Sequence, residues 1–220
     1  MTAGGILIEA CVESVEESIA AARGGADRLE LCANMDVGGT TPSAELFTSV
    51  RAKVALPVAV MVRPRGGAFV YSREELASMH EDIDRARGLG ADVIVFGVLD
   101  RTGSVDEKNT RELITRAGDT PVTFHKAFDE IDDQLRALDA LIDCGVSRVL
   151  TSGGRAAAIE GADQLARLVE HAAGRITIMA GGNVRAPNVR GLVARTRVQE
   201  VHARCNTDAR RIADIVSALR

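Results

Sequence analysis

The chain repeats one short unit, a helix-like stretch that closes on glycine and is followed by a brief apolar run. It reads Gly24-Gly25-Ala26-Asp27 before Arg28–Cys32, and Gly90-Ala91-Asp92 before Val93–Phe96. It returns as Cys144-Gly145-Val146 before Arg148–Thr151, and as Gly174 before Ile176–Met179. Glycine suits the residue just past a helix because the left-handed conformation costs it little. Short apolar runs alternating with helical stretches predict βαβ units and a parallel sheet. Eight strands are expected: Ile6–Cys11, Arg28–Cys32, Val58–Val62, Val93–Gly97, Val122–His125, Arg148–Thr151, Ile176–Ala180 and Gln199–Ala203. The spacing is roughly 25 residues, near the minimum for a strand and its returning helix. The fold class is therefore α/β, a (β/α)8 TIM barrel formed by residues 1–220 as a single domain. A doubly wound open sheet is the alternative, but it rarely needs eight evenly spaced units.

Local signals agree with this reading. Ser72 caps the third helix, with Glu75 as its capping-box partner. Ser43, just after Pro42, precedes the second, and Pro187 suits the first turn of the seventh. The last helix, Asp208 to Leu219, carries Ile212, Ile215, Val216 and Leu219 at helical spacing. The net charge of −4 offers no basic stripe for nucleic acid. No apolar run is long enough for a membrane span and no secretory signal opens the chain, so a cytoplasmic protein with four reduced cysteines is expected. A homo-oligomer is also expected, although 3% aromatic residues leave no obvious interface anchor.

In such barrels function collects at the C-terminal strand ends. Those ends carry Glu9 and Cys11, Glu30 and Cys32, Arg63 and Arg65, Asp100, Thr123 and His125, Thr151 and Ser152, Gly181-Gly182-Asn183, and Glu200 and His202. Pairs two residues apart on a strand share a face, so acids, thiols and imidazoles converge in one mouth. Arg63 and Arg65 flank Pro64 before Gly66-Gly67, an arrangement suited to a carboxylate or phosphate, or equally to salt bridges at the sheet rim. Buried Glu9, Glu30 and Glu200 need counter-charges, for which Arg63, Arg65 and the histidines are the candidates. The turns Thr151-Ser152-Gly153-Gly154 and Gly181-Gly182-Asn183 either cradle a phosphate or are merely tight turns. Cys11 and Cys32 end adjacent strands, and paired thiolates suit Cu(I), though buried cysteine often only packs. His202 with Cys205 is a looser metal pair, and Cys144 reads as core. Lys126 is expected to face the helix layer unless the strand has already ended, which disfavours a Schiff base.

Together these motifs resemble the CutC family, the copper homeostasis proteins. The matching stretches are A-D-R-L-E-L-C (26–32), G-G-T-T-P-S (38–43), R-P-R-G-G (63–67), F-G-V-L-D (96–100), V-T-F-H-K-A-F-D (122–129), R-V-L-T-S-G (148–153), I-M-A-G-G (178–182) and E-V-H (200–202). The resemblance implies a cytoplasmic (β/α)8 barrel linked to copper handling, with Cys11 and Cys32 as the Cu(I) ligands. Three departures stand out: Ala68 where the family has aspartate, Lys126 where it has arginine, and a short segment after His202. The readings are a copper-handling protein, an enzyme of lyase or isomerase type acting on a small anionic or phosphorylated metabolite, or an oligomeric interaction module. In the enzyme, Arg63, Arg65, Thr151, Gly153, Gly181 and Gly182 would hold the anion, while His125, His202, Glu9 and Glu30 would move protons.

Overall fold

The computed structural model describes residues 5–220. Eight parallel strands pair in sequence order and close β1 onto β8. They are β1 Leu7–Val12, β2 Arg28–Leu31, β3 Val58–Met61, β4 Val93–Phe96, β5 Val122–Phe124, β6 Arg148–Thr151, β7 Thr177–Gly181 and β8 Glu200–Arg204. The outer helices are α1 Val15–Arg23, α2 Ala44–Arg51, α3 Arg73–Gly88, α4 Glu107–Ala117, α5 Gln134–Cys144, α6 Ala162–Ala172, α7 Ala186–Thr196 and α8 Arg210–Leu219. The expected (β/α)8 barrel is thus the observed one, with strand limits shifted by a residue or two. No helix among the described residues is long and apolar enough to cross a membrane.

The expected end signals act locally. The Ser72 hydroxyl accepts the Glu75 N–H at 3.2 Å while the Glu75 carboxylate accepts the Ser72 N–H at 2.7 Å. Ser43 caps α2 in the same way, accepting the Leu46 N–H at 3.2 Å. Past the helix ends, Gly90 and Gly145 take φ of +85° and +89°, a region L side chains rarely adopt.

Strand alternation sorts the side chains into two regions. Outward residues such as Leu29, Leu31, Phe96, Phe124 and Val201 pack against the helices in one continuous core. Inside the barrel the usual filling is branched aliphatic, but here a layer of charge occupies much of it. Arg28 donates to Glu9 at 2.5 Å and to Glu200 at 2.6 Å. Arg148 donates to both oxygens of Glu200, at 2.6 and 3.1 Å, and to Thr123 Oγ1 at 3.2 Å. Glu9 and Glu200 are therefore paired with Arg28 and Arg148, not with Arg63 and Arg65, while the expected histidine partner is His202, beside Glu9 and Glu30.

Glu200 bridges two arginines whose side chains are only 7% and 12% exposed. Removing it strands buried positive charge, so Glu200→Ala is expected to cost about 3–5 kcal/mol in urea unfolding. A loss below ~1 kcal/mol would show that the layer is not a stabilising unit.

Candidate functional site

The alternation that buries the charge layer also lifts a second set of side chains to the mouth. Glu9 joins the two levels. Its Oε2 accepts from Arg28 and its Oε1 lies 3.0 Å from His202 Nδ1. His202 Nε2 in turn lies 3.6 Å from Glu30 Oε2, and the Cys32 sulfur is 3.6 Å from that same oxygen. Donor atoms of Cys11, Glu30 and Cys32 all lie within 4.8 Å of one another, as do those of Glu9, Glu30 and His202. The convergence expected of strands one, two and eight is what the structure builds.

Environment sets the protonation of this cluster. Burial alone would raise Glu9, but the hydrogen bond from His202 and the charge of Arg28 outweigh it and bring the pKa down to about 2. Burial pushes Glu30 well above the ordinary carboxylate range, against the pull of His202. Burial also opposes charge on His202, yet Glu30, Cys11 and Glu9 raise its pKa well above the usual value. A hydrogen bond from Cys32 lowers the Cys11 thiol, and the same bond raises Cys32. The cluster favours ionised Glu9 and protonated His202, with Cys11 the more acidic of the two thiols.

Met35 adds a third sulfur. It begins a single 3-10 turn, Met35–Val37, in the β2–α2 loop, and its Sδ lies 3.6 Å from Cys11 Sγ. Sequence reasoning missed it because a loop residue has no periodicity to reveal its direction.

Across the barrel, β5 delivers His125. Its Nδ1 accepts the Ala127 N–H at 3.1 Å, so the neutral ring carries its proton on Nε2. Burial, reinforced by the charge of Arg63, lowers its pKa to about 3. Gly97 makes room for the ring, since a Cβ there would stand 2.5 Å from it. The Phe69 ring lies against it at 4.9 Å between centroids.

The two arginines of the third strand end part company. Arg63 is buried and clasps the lid loops: NH1 donates to the carbonyls of Val37, Gly38 and Gly39 at 3.1–3.2 Å, and NH2 to that of Gly67 at 2.9 Å. Arg65 points away, paired with Glu75 at 2.5 Å and bonded to the Ala68 and Val70 carbonyls. The shared anion-binding face expected for the pair does not form, because the backbone turns at Pro64 instead of staying extended.

The glycine turn after β6 is already filled by the chain's own carboxylate. Asp129 accepts from Thr151 Oγ1 at 2.5 Å, from the Gly154 N–H at 2.9 Å and from the Ser152 N–H at 3.0 and 3.1 Å. Gly153 N–H turns to Thr151 Oγ1 at 2.9 Å. A phosphate at Thr151–Gly154 would have to displace Asp129, which corrects that expectation. Lys126 starts a 3-10 helix after the strand has ended, so it does not face the helix layer; its ammonium pairs with Asp129 and donates to Ser152 Oγ at 2.7 Å. Gly181 serves packing, since a Cβ there would meet Leu150 at 2.5 Å, and a Cβ on Gly182 would stand 3.1 Å from that of Ser152. Asp100 closes its own turn by accepting from Thr102 and Ser104. Cys205 and Cys144 lie in the outer core, so the looser His202–Cys205 pair does not form.

Cys11, Glu30, Cys32, Met35, Arg63, His125, Lys126 and His202 together line a cavity of about 120 Å³ at the mouth. Residues 6–207 match the CutC family. The copper homeostasis protein cutC homolog of Homo sapiens is 44% identical over 91% of this chain and 73% of its own length. The chain belongs to the CutC family. A CutC family protein of Xylella fastidiosa (strain Temecula1) is 46% identical over 89% of this chain and 73% of its own. The crystal structure of the CutC protein of Streptococcus agalactiae superposes with a TM-score of 0.85 at 38% identity, covering 90% of this chain and 97% of that one.

The His125 environment makes a pH prediction. A histidine whose folded pKa of about 3 lies below the ordinary 6.5 resists the proton that the unfolded chain accepts. Folding stability therefore falls as pH drops from 6.5 towards 3, at up to roughly 1.4 kcal/mol per pH unit from this residue. In urea unfolding across that window, His125→Asn should gain on the wild type as pH falls. Parallel curves would contradict the assignment.

Proposed function

We propose that this CutC protein binds Cu(I) at the barrel mouth through Cys11 and Cys32, with the Met35 thioether as a third donor. The observation that carries the reading is the clustering of three sulfurs, with Met35 Sδ 3.6 Å from Cys11 Sγ and Cys32 alongside. Thiolate and thioether donors suit a soft, monovalent ion of low coordination number. The hydrogen bond that lowers Cys11 supports the reading, since the thiolate is the ligating form. Burial of both thiols favours it too, by shielding a bound ion from water and oxidants. The enclosing side chains Met61, Phe69 and Leu150 keep the approach apolar. A cytoplasmic setting, where thiols stay reduced, belongs to the same reading, as does the self-association expected of the chain.

The relatives' names are consistent with a copper role: the human homolog is a copper homeostasis protein. The phosphorylated-metabolite alternative draws no support from the turn after β6, where Asp129 already accepts the Ser152 and Gly154 amides.

The test is an anaerobic Cu(I) competition titration of the wild type, Cys11→Ser/Cys32→Ser and Met35→Leu. One ion per chain is expected, lost in the double variant and weakened about tenfold or more in Met35→Leu. Binding unchanged in the double variant would overturn the site.

A further inference from the structure

Buried polar atoms without partners are rare, and each one asks for an explanation. Three of them belong to side chains lining the mouth cavity: His125 Nε2, Arg63 Nε and Glu30 Oε1. His125, Arg63 and Glu30 are only 4%, 5% and 2% exposed. None is used by the proposed copper ligands. Two larger grooves, of about 510 and 500 Å³, lie among the outer loops. Their rims carry Asp132 and Asp133, and no buried unpaired side chain among the described residues lines them.

The barrel order sets the geometry. In a ring of eight strands paired in sequence, β5 stands opposite β1. His125 follows β5, and Cys11 belongs to β1. The cavity therefore has Cys11 on one side and the His125 ring across from it, while Arg63 follows β3, beside the strand that leads to Cys32. The His125 proton is fixed on Nε2 because Nδ1 is occupied as an acceptor. The NH1 and NH2 groups of Arg63 are spent on carbonyls, which leaves the Nε–H free of partners. The Arg63 charge is nonetheless full and little solvated, lying 4.7 Å from the Phe69 ring centre. Met61, Phe69 and Leu150 supply apolar surface between the donors.

We propose that this cavity binds a short-chain hydroxycarboxylate, whose carboxylate accepts from His125 Nε2–H and Arg63 Nε–H and whose hydroxyl meets Glu30 Oε1. The volume of about 120 Å³ is roughly that of four waters, which suits a molecule of a few carbons. Two N–H donors match the oxygens of a carboxylate, whereas a phosphate dianion would need more, and the amide turn that could have supplied them holds Asp129. A charged ligand would satisfy two donors that otherwise remain buried and unpaired. The proposal shares no ligating atom with the copper reading: it uses His125 Nε2, Arg63 Nε and Glu30 Oε1, while Cys32 faces the other oxygen of Glu30.

The test titrates metal-free full-length protein with lactate and with glycolate, and follows the His125 side-chain nitrogens by NMR. A saturable change at Nε2 is expected with at least one of them. Binding should weaken about ten- to hundredfold in His125→Asn, whose amide oxygen can still accept the Ala127 N–H but whose shorter side chain puts no N–H where Nε2 stands. Arg63→Lys, which retains charge without the Nε–H, should weaken it comparably. No saturable change with either acid would overturn the proposal. So would equal affinity in His125→Asn, or inorganic phosphate competing as well as the acids. The Cys11→Ser/Cys32→Ser variant should keep lactate binding while losing Cu(I), so the two readings stand or fall separately.

Discussion

The carboxylate of Glu9 is the contact on which the mouth depends. It is fully buried, and one oxygen accepts from Arg28 while the other faces His202. An isolated carboxylate in such a place would be driven to its neutral form. Here Arg28 and His202 keep it ionised, and it in turn fixes which nitrogen His202 presents to Glu30 and the thiols. Arg28 is held by Glu200, and Glu200 by Arg148, so the bridge reaches across the barrel floor to Thr123 below His125. The charged layer is thus a platform: the residues that satisfy one another beneath set the rotamers of those that do not above.

The chain also uses its own groups where a ligand might have been expected. Asp129 fills the amide turn after β6, and Lys126 braces it. Arg63 ties the loop at Val37–Gly39 to Gly67, and the close approach of that loop requires glycine at position 66, where a Cβ would stand 2.7 Å from that of Val37. These contacts hold the loops over the barrel around a small cavity at its mouth. Cys11 lies on one side of it and the His125 ring across from it.

Most of the fold was legible because glycine punctuation and strand alternation are local signals. The same alternation placed Glu9 with Cys11, Glu30 with Cys32, and Glu200 with His202 on inward faces. Carried two residues further down β2, it would have found Arg28, on the same face as Glu30, as the counter-charge of Glu9 and Glu200. What the sequence could not show lay beyond strand ends, where period two stops. Arg63 and Arg65 diverge at Pro64, Met35 enters from a loop, and Asp129 reaches back from a 3-10 turn. Each depends on a long-range backbone path that no short window contains.

The central claim is that a soft metal at the mouth would take its donors from Cys11, Cys32 and Met35 and not from the histidines nearby. X-ray absorption at the copper edge, on protein loaded anaerobically with one Cu(I), reads the donor atoms directly. The account predicts a first shell of sulfur alone, drawn from Cys11, Cys32 and Met35. The scattering pattern of an imidazole in that shell would place His202 or His125 on the metal and contradict it.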